Sequence, residues 1–455
     1  MDIARELLKE RYFSKLKQSD DLFVGIELEF PIVNLTGEAA EFPVVWGLFD
    51  EIVENLPFSV EKTDENGQAI QLISDENDDR ILFEVGYNTL EFAFDKAKTI
   101  SEVASRFETY LAVIQNYLAS KNHLMTGLGV NPFWDKNDNR PVASDRYEML
   151  MAYLKLGASH ESVRDHHYNY GAFIQGSQIQ LDVIEDNLLD VLNLFNAIEP
   201  AKAWLFANSY LWQSQLDTLI SRDIFWEESM HGVFKENVGV FPEFFTDKES
   251  FLDYLTKTAL FTTTHDEKTY YFSPIQVADF FNHDEIAAFD LAGNDVVLSP
   301  SPHDFDNHRS YQYQDLTARG TVEFRSTCAQ PIADSFSVAA FHLGLMVELS
   351  EFKNLLSDHD FYEDYGRDYP TLRRRFAGQN LTSDELADVA AFAKDLLDLA
   401  KKGLDKRGFG EADYLASLYE RVEKLENPAI RALELYNNGK TLSEISEIFA
   451  NGKNI

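Results

Sequence analysis

The sequence predicts an α+β fold built around an antiparallel β-sheet, with an almost wholly helical C-terminal region. Three observations carry this. Between residues 58 and 94 the runs "FSVEKT", "QAIQLIS" and "RILFEVGYNTLEFAF" are strand-like and are separated by the polar turns "DENG" and "DENDD". Along the chain, hairpin-like neighbours outnumber clean βαβ units, which favours antiparallel pairing. Beyond about residue 332 the pattern is helical, supported by two capping boxes, Thr382 with Glu385 and Thr441 with Glu444.

The elements follow in order. Residues 2 to 18 read as an amphipathic helix, and 22 to 32 as a strand. Gly37 to Phe42 reads as a turn and 43 to 55 as a second helix. After the β-rich stretch, helix returns at about 98 to 120, then a short apolar strand at 122 to 130. The Pro and Asn content of "NPFWDKNDNRP" marks a loop, and "DRYEMLMAYLKL" is helical. Residues 170 to 184 are strand-like, with Phe173, Ile179, Leu181 and Val183 on one face and Gln178, Gln180 and Asp182 on the other. Helices are expected at about 186 to 208 and 249 to 260, and "GTVEFRST" is the last clear strand.

Composition narrows the function. The 455 residues include 40 Lys plus Arg against 77 Asp plus Glu, a formal charge of −37. Such a field repels nucleic acid and anionic membranes, so neither is an expected partner. An acidic chain that binds an anion must build a local cationic or metal-bridged site against its own field. The single cysteine, Cys328, excludes an internal disulfide, which suits the cytoplasm. The N-terminus is charged throughout and does not read as a signal peptide. "DSFSVAAFHLGLMVELSEF" is too short and too polar to span a bilayer.

The carboxylates are the informative feature. In "VGIELEF", Glu27 and Glu29 share one strand face while Val24, Ile26, Leu28 and Phe30 fill the other. In "ILFEVGYNTLEFAF", apolar neighbours flank both Glu84 and Glu91. Strand parity changes between them, so "GYN" must be a bulge or turn that returns both to one side. In "GTVEFRST", Glu323 and Arg325 share a face, and Gln178 and Gln180 supply a fourth polar strand face. Any one of these strands alone is the ordinary half-exposed pattern. Together they are not, because a merely solvated face would mix in Lys, Ser and Thr. Hard oxygen ligands in that number suit Mg²⁺ or Mn²⁺, not zinc.

Other constellations are weaker. His160, His166 and His167 match no zinc spacing and read as a polar loop, and "SPHDFDNH" reads as a loop able to cover a substrate. Neither a P-loop nor a GxGxxG motif occurs, so any nucleotide phosphates must be held by metal and arginine. On the residues alone, a ligase, a metal-dependent hydrolase and a metal-binding scaffold all stay open.

The order of the motifs resembles glutamate–cysteine ligases of the glutamine-synthetase-like carboxylate–amine ligase superfamily, nearest the plant and proteobacterial branch. "GIELEF" is similar to the family's first metal strand, and "FEVGYNTLEFAF" to its "EPGGQ-ELS" segment. "DRYEMLMAYL" resembles "GRYEIM", and "GSQIQLD" resembles "TVQVNLD". "FANS" is shared, "LISRDIFWEES" is similar to "LSMRSHIWTDTD", and "RGTVEFRST" to "RYLEMRGAD". The agreement runs from about residue 22 to 330.

The resemblance implies an open, funnel-like antiparallel sheet with helices packed outside. It implies a catalytic core over 1–331 and a helical region over 332–455 packed on that core. Glu27, Glu29, Glu84, Glu91 and Glu323 would ligate two or three Mg²⁺ ions, with Gln178 as a neutral ligand. Arg222 would hold the glutamate substrate, with Gln180 as a further substrate contact, and Arg325 would sit by the transferring phosphoryl group. ATP would be the co-substrate and L-cysteine the acceptor. "GYN" in place of a glycine pair, and "STCAQP" in place of "GADGG", leave another amine open as acceptor.

Overall fold

The computed structural model describes residues 3–19, 21–164 and 167–451. The expected helix start at Asp2, and His166, lie outside the described residues. The chain first lays down β1 (Val24–Asn34), β2 (Phe58–Thr63), β3 (Ala69–Ser74), β4 (Arg80–Phe83), β5 (Thr89–Ala93), β6 (His123–Met125) and β7 (Ser177–Asp182). A short β8 (Val238–Gly239) then precedes a separate antiparallel sheet of β9 (Ala259–His265), β10 (Lys268–Gln276), β11 (Ile286–Asp290) and β12 (Asp295–Leu298). β13 (Tyr311–Gln312) pairs in parallel with β8, and β14 (Gln314–Leu316) and β15 (Thr321–Phe324) return to the main sheet.

The main sheet runs β14-β15-β7-β1-β5-β4-β3-β2, with β6 against the far end of β1. Its pairings are antiparallel throughout. β1 is central because its apolar side, Val24, Ile26, Leu28 and Phe30, is buried to 1% exposure or less. Helices cover that side. Phe195, from helix Leu188–Ala197, packs on Phe324 of β15, and His342, from helix Ser337–Val347, lies against both rings.

The antiparallel α+β architecture is as the sequence predicts, and the chain beyond residue 332 is helical among the described residues. Both capping boxes form. The glycines Gly344 and Gly403 bring helices Ser337–Val347 and Ser383–Arg407 into backbone contact: a Cβ at Gly403 would lie 2.1 Å from the Gly344 carbonyl oxygen. No single helix among the described residues is long and apolar enough to cross a membrane.

Several boundaries differ from expectation. The helix expected over 186–208 is two, Leu188–Ala197 and Glu199–Leu205, because Pro200 has no N–H to continue the first. The helix expected over 249–260 ends at Leu255, and β9 begins at Ala259. The strand expected from residue 170 begins at Ser177, after a 3₁₀ turn at Tyr170–Ala172. The short strand expected over 122–130 is β6 alone, three residues long. The four-stranded sheet was not expected at all. Its strands mix Thr, Tyr and charged residues among the apolar ones, β9 being Thr-rich and β10 interrupted by Ser273 and Pro274, so no long clean alternation marks them in sequence.

Candidate active site

Strand register places the carboxylates together. Glu323 stands opposite Gln180, which stands opposite Gly25. One row along, Gln178 pairs with Glu27, and in the next Glu29 pairs with Glu91. "VGYN" is a turn: Val85 adopts φ 59°, and the Glu84 N–H donates to the Thr89 carbonyl, closing the β4–β5 hairpin. Phe83 pairs with Leu90, so Glu84 falls on the Glu91 side. All five glutamates therefore share one face across five adjacent strands, β15, β7, β1, β5 and β4.

Four of the five carboxylates, all but Glu91, are met by donors. Glu29 accepts from the Gly176 N–H at 2.7 Å and from Gln178 Nε2 at 2.9 Å. Gln180 Nε2 lies 2.8 Å from Glu27 and 3.4 Å from Glu323. Arg325 donates to Glu323 at 2.6 Å. Tyr147 donates to Glu84, and Arg146 stands 3.8 Å from the other Glu84 oxygen. Among the described residues no three acidic, His or Cys side chains are grouped closely enough to hold a metal ion as they stand. The glutamates expected to ligate metal thus share one face, and four of them are engaged in hydrogen bonds with neighbouring side chains.

The electrostatics follow from burial. Burial, then Glu323, raises Glu27 to about 7. Burial raises Glu29 to about 7 with Glu84 adding, while Arg222 opposes. Glu91 is pushed well above the carboxylate range by burial and then by Glu84, Glu27 and Glu29. Burial would also raise Glu323, but Arg325, Arg309 and Arg319 outweigh it and hold it low. Asp315 of β14, directly opposite Glu323, rises to about 7 through burial despite Arg325. The site thus separates one ionised glutamate, beside its arginine, from a group that binds protons near neutrality.

Over part of this face lies a cavity of about 380 Å³. Glu29, Glu84 and Gln178 reach it from the sheet, and Arg11, Arg146, Arg222, Arg309 and Arg325 reach it from five separate segments. The remaining wall is apolar and aromatic, including Leu150, Trp226, Phe261 and Tyr311. Arg222 is 6% exposed and donates to the Thr327 carbonyl at 3.1 Å. It fits because Gly176 has no side chain, since a Cβ there would lie 2.6 Å from Arg222 Nη2. Gln180 is placed differently from expectation. It does not line the cavity, and its amide bridges Glu27 and Glu323 while its oxygen accepts from Arg319 at 2.9 Å.

Sequence reading missed Arg146, Tyr147, Arg309, Arg319 and Asp315. For three of them a signal existed. Arg146 and Tyr147 open the motif "DRYEMLMAYL", and Arg309 directly follows "SPHDFDNH", whose Asp306 and Asn307 do line the cavity.

A carboxylate-bearing sheet face beside a cavity lined by five arginines, within so acidic a chain, is a site suited to small anions. The chain belongs to glutamate-cysteine ligase family 2, whose model matches residues 23–446. The match runs well past residue 332, so the helical region is part of the family unit. The chain is 22% identical to the chloroplastic glutamate–cysteine ligase of Arabidopsis thaliana over 465 aligned positions, 98% of this chain and 82% of the relative. With that of Medicago truncatula it shares 21% over 369 positions, 77% of this chain but only 66% of the relative. The crystal structure of Francisella tularensis glutamate–cysteine ligase in complex with AMP superposes with a TM-score of 0.52, covering 96% of this chain and 89% of that one. At 13% identity, that likeness shows the fold.

Proposed function

We propose that this protein joins the γ-carboxylate of L-glutamate to the amine of L-cysteine at the expense of ATP. The observation that carries the reading is the ring of five arginines facing glutamates across one cavity, in a chain whose net charge would otherwise repel both anionic substrates. A carboxylate is a poor electrophile, so amide formation requires its activation. A γ-carboxylate oxygen of glutamate forms a bond to the γ-phosphorus of ATP, and the bond to the bridging oxygen of ADP breaks. The amine nitrogen then bonds to the carbonyl carbon of γ-glutamyl phosphate, phosphate departs and the amine sheds a proton.

In this scheme Arg222, held by Thr327, presents a planar fork to the glutamate substrate. Arg325, tied to Glu323, faces the charge that spreads over the transferring phosphoryl oxygens. The donor set fits Mg²⁺, with Mn²⁺ as a substitute: it is all oxygen, and the buried Gln178 Oε1 has no hydrogen-bond partner. Glu27, Glu29, Glu84, Glu91 and Glu323, with Gln178, would hold it once their side chains turn from their present donors. When bound, the metal would neutralise the phosphates and polarise the phosphoryl group.

The aromatic wall excludes water from the acyl phosphate, whose hydrolysis would waste it. A metal-dependent hydrolase using the same carboxylates is not favoured, since such sites usually recruit histidine and none of the described cavity-lining residues is one. The test is Mg²⁺-dependent ADP release with glutamate, with and without cysteine, alongside mass analysis of the product. Cysteine-stimulated release with a γ-glutamylcysteine mass supports the reading. Stimulation by a different amine would replace the acceptor, and phosphate release without ATP would sink it.

A further inference from the structure

We infer that Arg373, far outside the sheet on helix Tyr369–Phe376, is a positioning residue that fixes Arg222 relative to Arg325. The inference rests on the ligase reading and extends it to the helical region.

Arg373 is 2% exposed, and all three of its guanidinium nitrogens donate. Nε and Nη2 grip Asp223 as a fork, at 2.8 and 3.0 Å. Nη2 also donates to the Ser326 carbonyl at 3.0 Å, and Nη1 donates to Glu199. Asp223 follows Arg222 on helix Ser221–Glu227, and Ser326 follows Arg325 at the end of β15. A single side chain therefore binds the neighbours of both arginines. The next residue reinforces the grip: Arg374 pairs with Glu227, one turn beyond Asp223 on the same helix. Tyr313 completes it, its hydroxyl 2.8 Å from Asp223 and 3.0 Å from Glu227 and its ring 4.5 Å beneath Arg373.

The charges explain why this is more than packing. Arg373 and Lys202 balance Glu199 and Asp223, with Lys202 at 2.6 Å from Glu199 and all four buried. An apolar cluster of the same volume would be as stable or more so, whereas a hydrogen-bonded ionic network allows only one relative placement of the parts it joins. The parts joined here are the two segments that carry the substrate-facing arginines.

Arg373→Lys keeps the charge and loses the fork. With Arg222 displaced, the KM for glutamate should rise roughly tenfold and kcat fall up to about 100-fold, with the KM for ATP within about twofold. A merely structural role would not produce that split. Two controls separate the readings. Val389→Ala, in the core of helix Ser383–Arg407, should lower Tm without moving these constants. In the double variant with Arg222→Lys, the loss of glutamate affinity should be no greater than for Arg222→Lys alone.

Unchanged glutamate constants in folded Arg373→Lys, or additive losses in the double variant, overturn the inference. If Arg373→Lys does not fold, Tyr313→Phe decides, since it removes only the bridging hydroxyl. A selective rise in the glutamate KM supports the inference there, and no change overturns it. Calorimetric glutamate binding by the wild type keeps the two readings apart: wild type that binds no glutamate sinks the ligase reading and the inference with it. Wild type that binds and turns over beside an unaffected Arg373→Lys sinks the inference alone.

Discussion

Arg222 sits among Leu219, Ile220, Ile224 and Phe225, where an arginine ordinarily lies along the surface with its head in water. Here the head is buried instead, with Nη1 on the Thr327 carbonyl and Nε without a hydrogen-bond partner. Arg222→Lys should weaken glutamate affinity by about 10- to 150-fold, the loss of one charge-assisted hydrogen bond of roughly 1.5–3 kcal/mol. ATP affinity should move far less. Separate titrations of the two substrates check this, and an equal loss for both would detach Arg222 from glutamate. Glu29→Gln tests the carboxylate face. Its oxygen can still accept from the Gly176 N–H, and Gln178 can turn its free Oε1 to the new amide, so the fold survives. Turnover at limiting Mg²⁺ should nonetheless fall by about two orders of magnitude or more; wild-type rates would remove Glu29 from the site. Glu29 was legible in sequence because two-residue spacing on a strand puts it on one face with Glu27, whereas Arg222, on a helix, was legible only through the resemblance of its motif. Arg319 and Asp315 were not, because the partners of each are set by tertiary contacts.

At the scale of elements, what could be read was what period makes visible. β1, β2, β3, β5 and the core of β7 carry alternation, and the parity break between Glu84 and Glu91 located the β4–β5 turn. β9 to β12 were not read, because their buried apolar residues, such as Leu260, Phe272, Ile286 and Leu298, are too few and too widely spaced among polar ones to show a period. The crossing of helices Ser337–Val347 and Ser383–Arg407 was hidden for another reason: a glycine in a helix pattern signals nothing until its partner is known. There the Gly403 Cα faces the Gly344 carbonyl, and Gly344 faces the Ala400 carbonyl. Gly403→Ala would force these backbones apart and should destabilise the protein by roughly 1–3 kcal/mol, the usual cost of overpacking a close contact. Thermal unfolding reads the loss. An unchanged or higher Tm, as the better helix propensity of alanine alone would give, would show that the helices separate freely.

Across the whole molecule, the carboxylate face couples stability to protons, and on the proposed reading should couple it to metal as well. Glu27 and Glu29 rise from an ordinary 4.5 to about 7, chiefly by burial, and Glu91 rises further. A carboxyl group that binds its proton more tightly when folded favours the fold while protonated. That contribution is full below about pH 4.5 and is lost as pH rises through 7, leaving like charges buried together. A divalent cation on the same oxygens acts in the opposite sense. It competes with the protons, so its affinity should grow from pH 6 to pH 8. Metal-free protein should therefore lose Tm over that interval, and millimolar Mg²⁺ should restore more at pH 8 than at pH 6. With free metal at about 100 times its dissociation constant, the gain at pH 8 is about 2.7 kcal/mol, or several degrees. Taking the difference of differences removes every other group that titrates in this range. Glu29→Gln should shrink it, because one competing carboxyl is gone. A Mg²⁺ effect equal at the two pH values, or equal in the variant, would place the metal away from these glutamates.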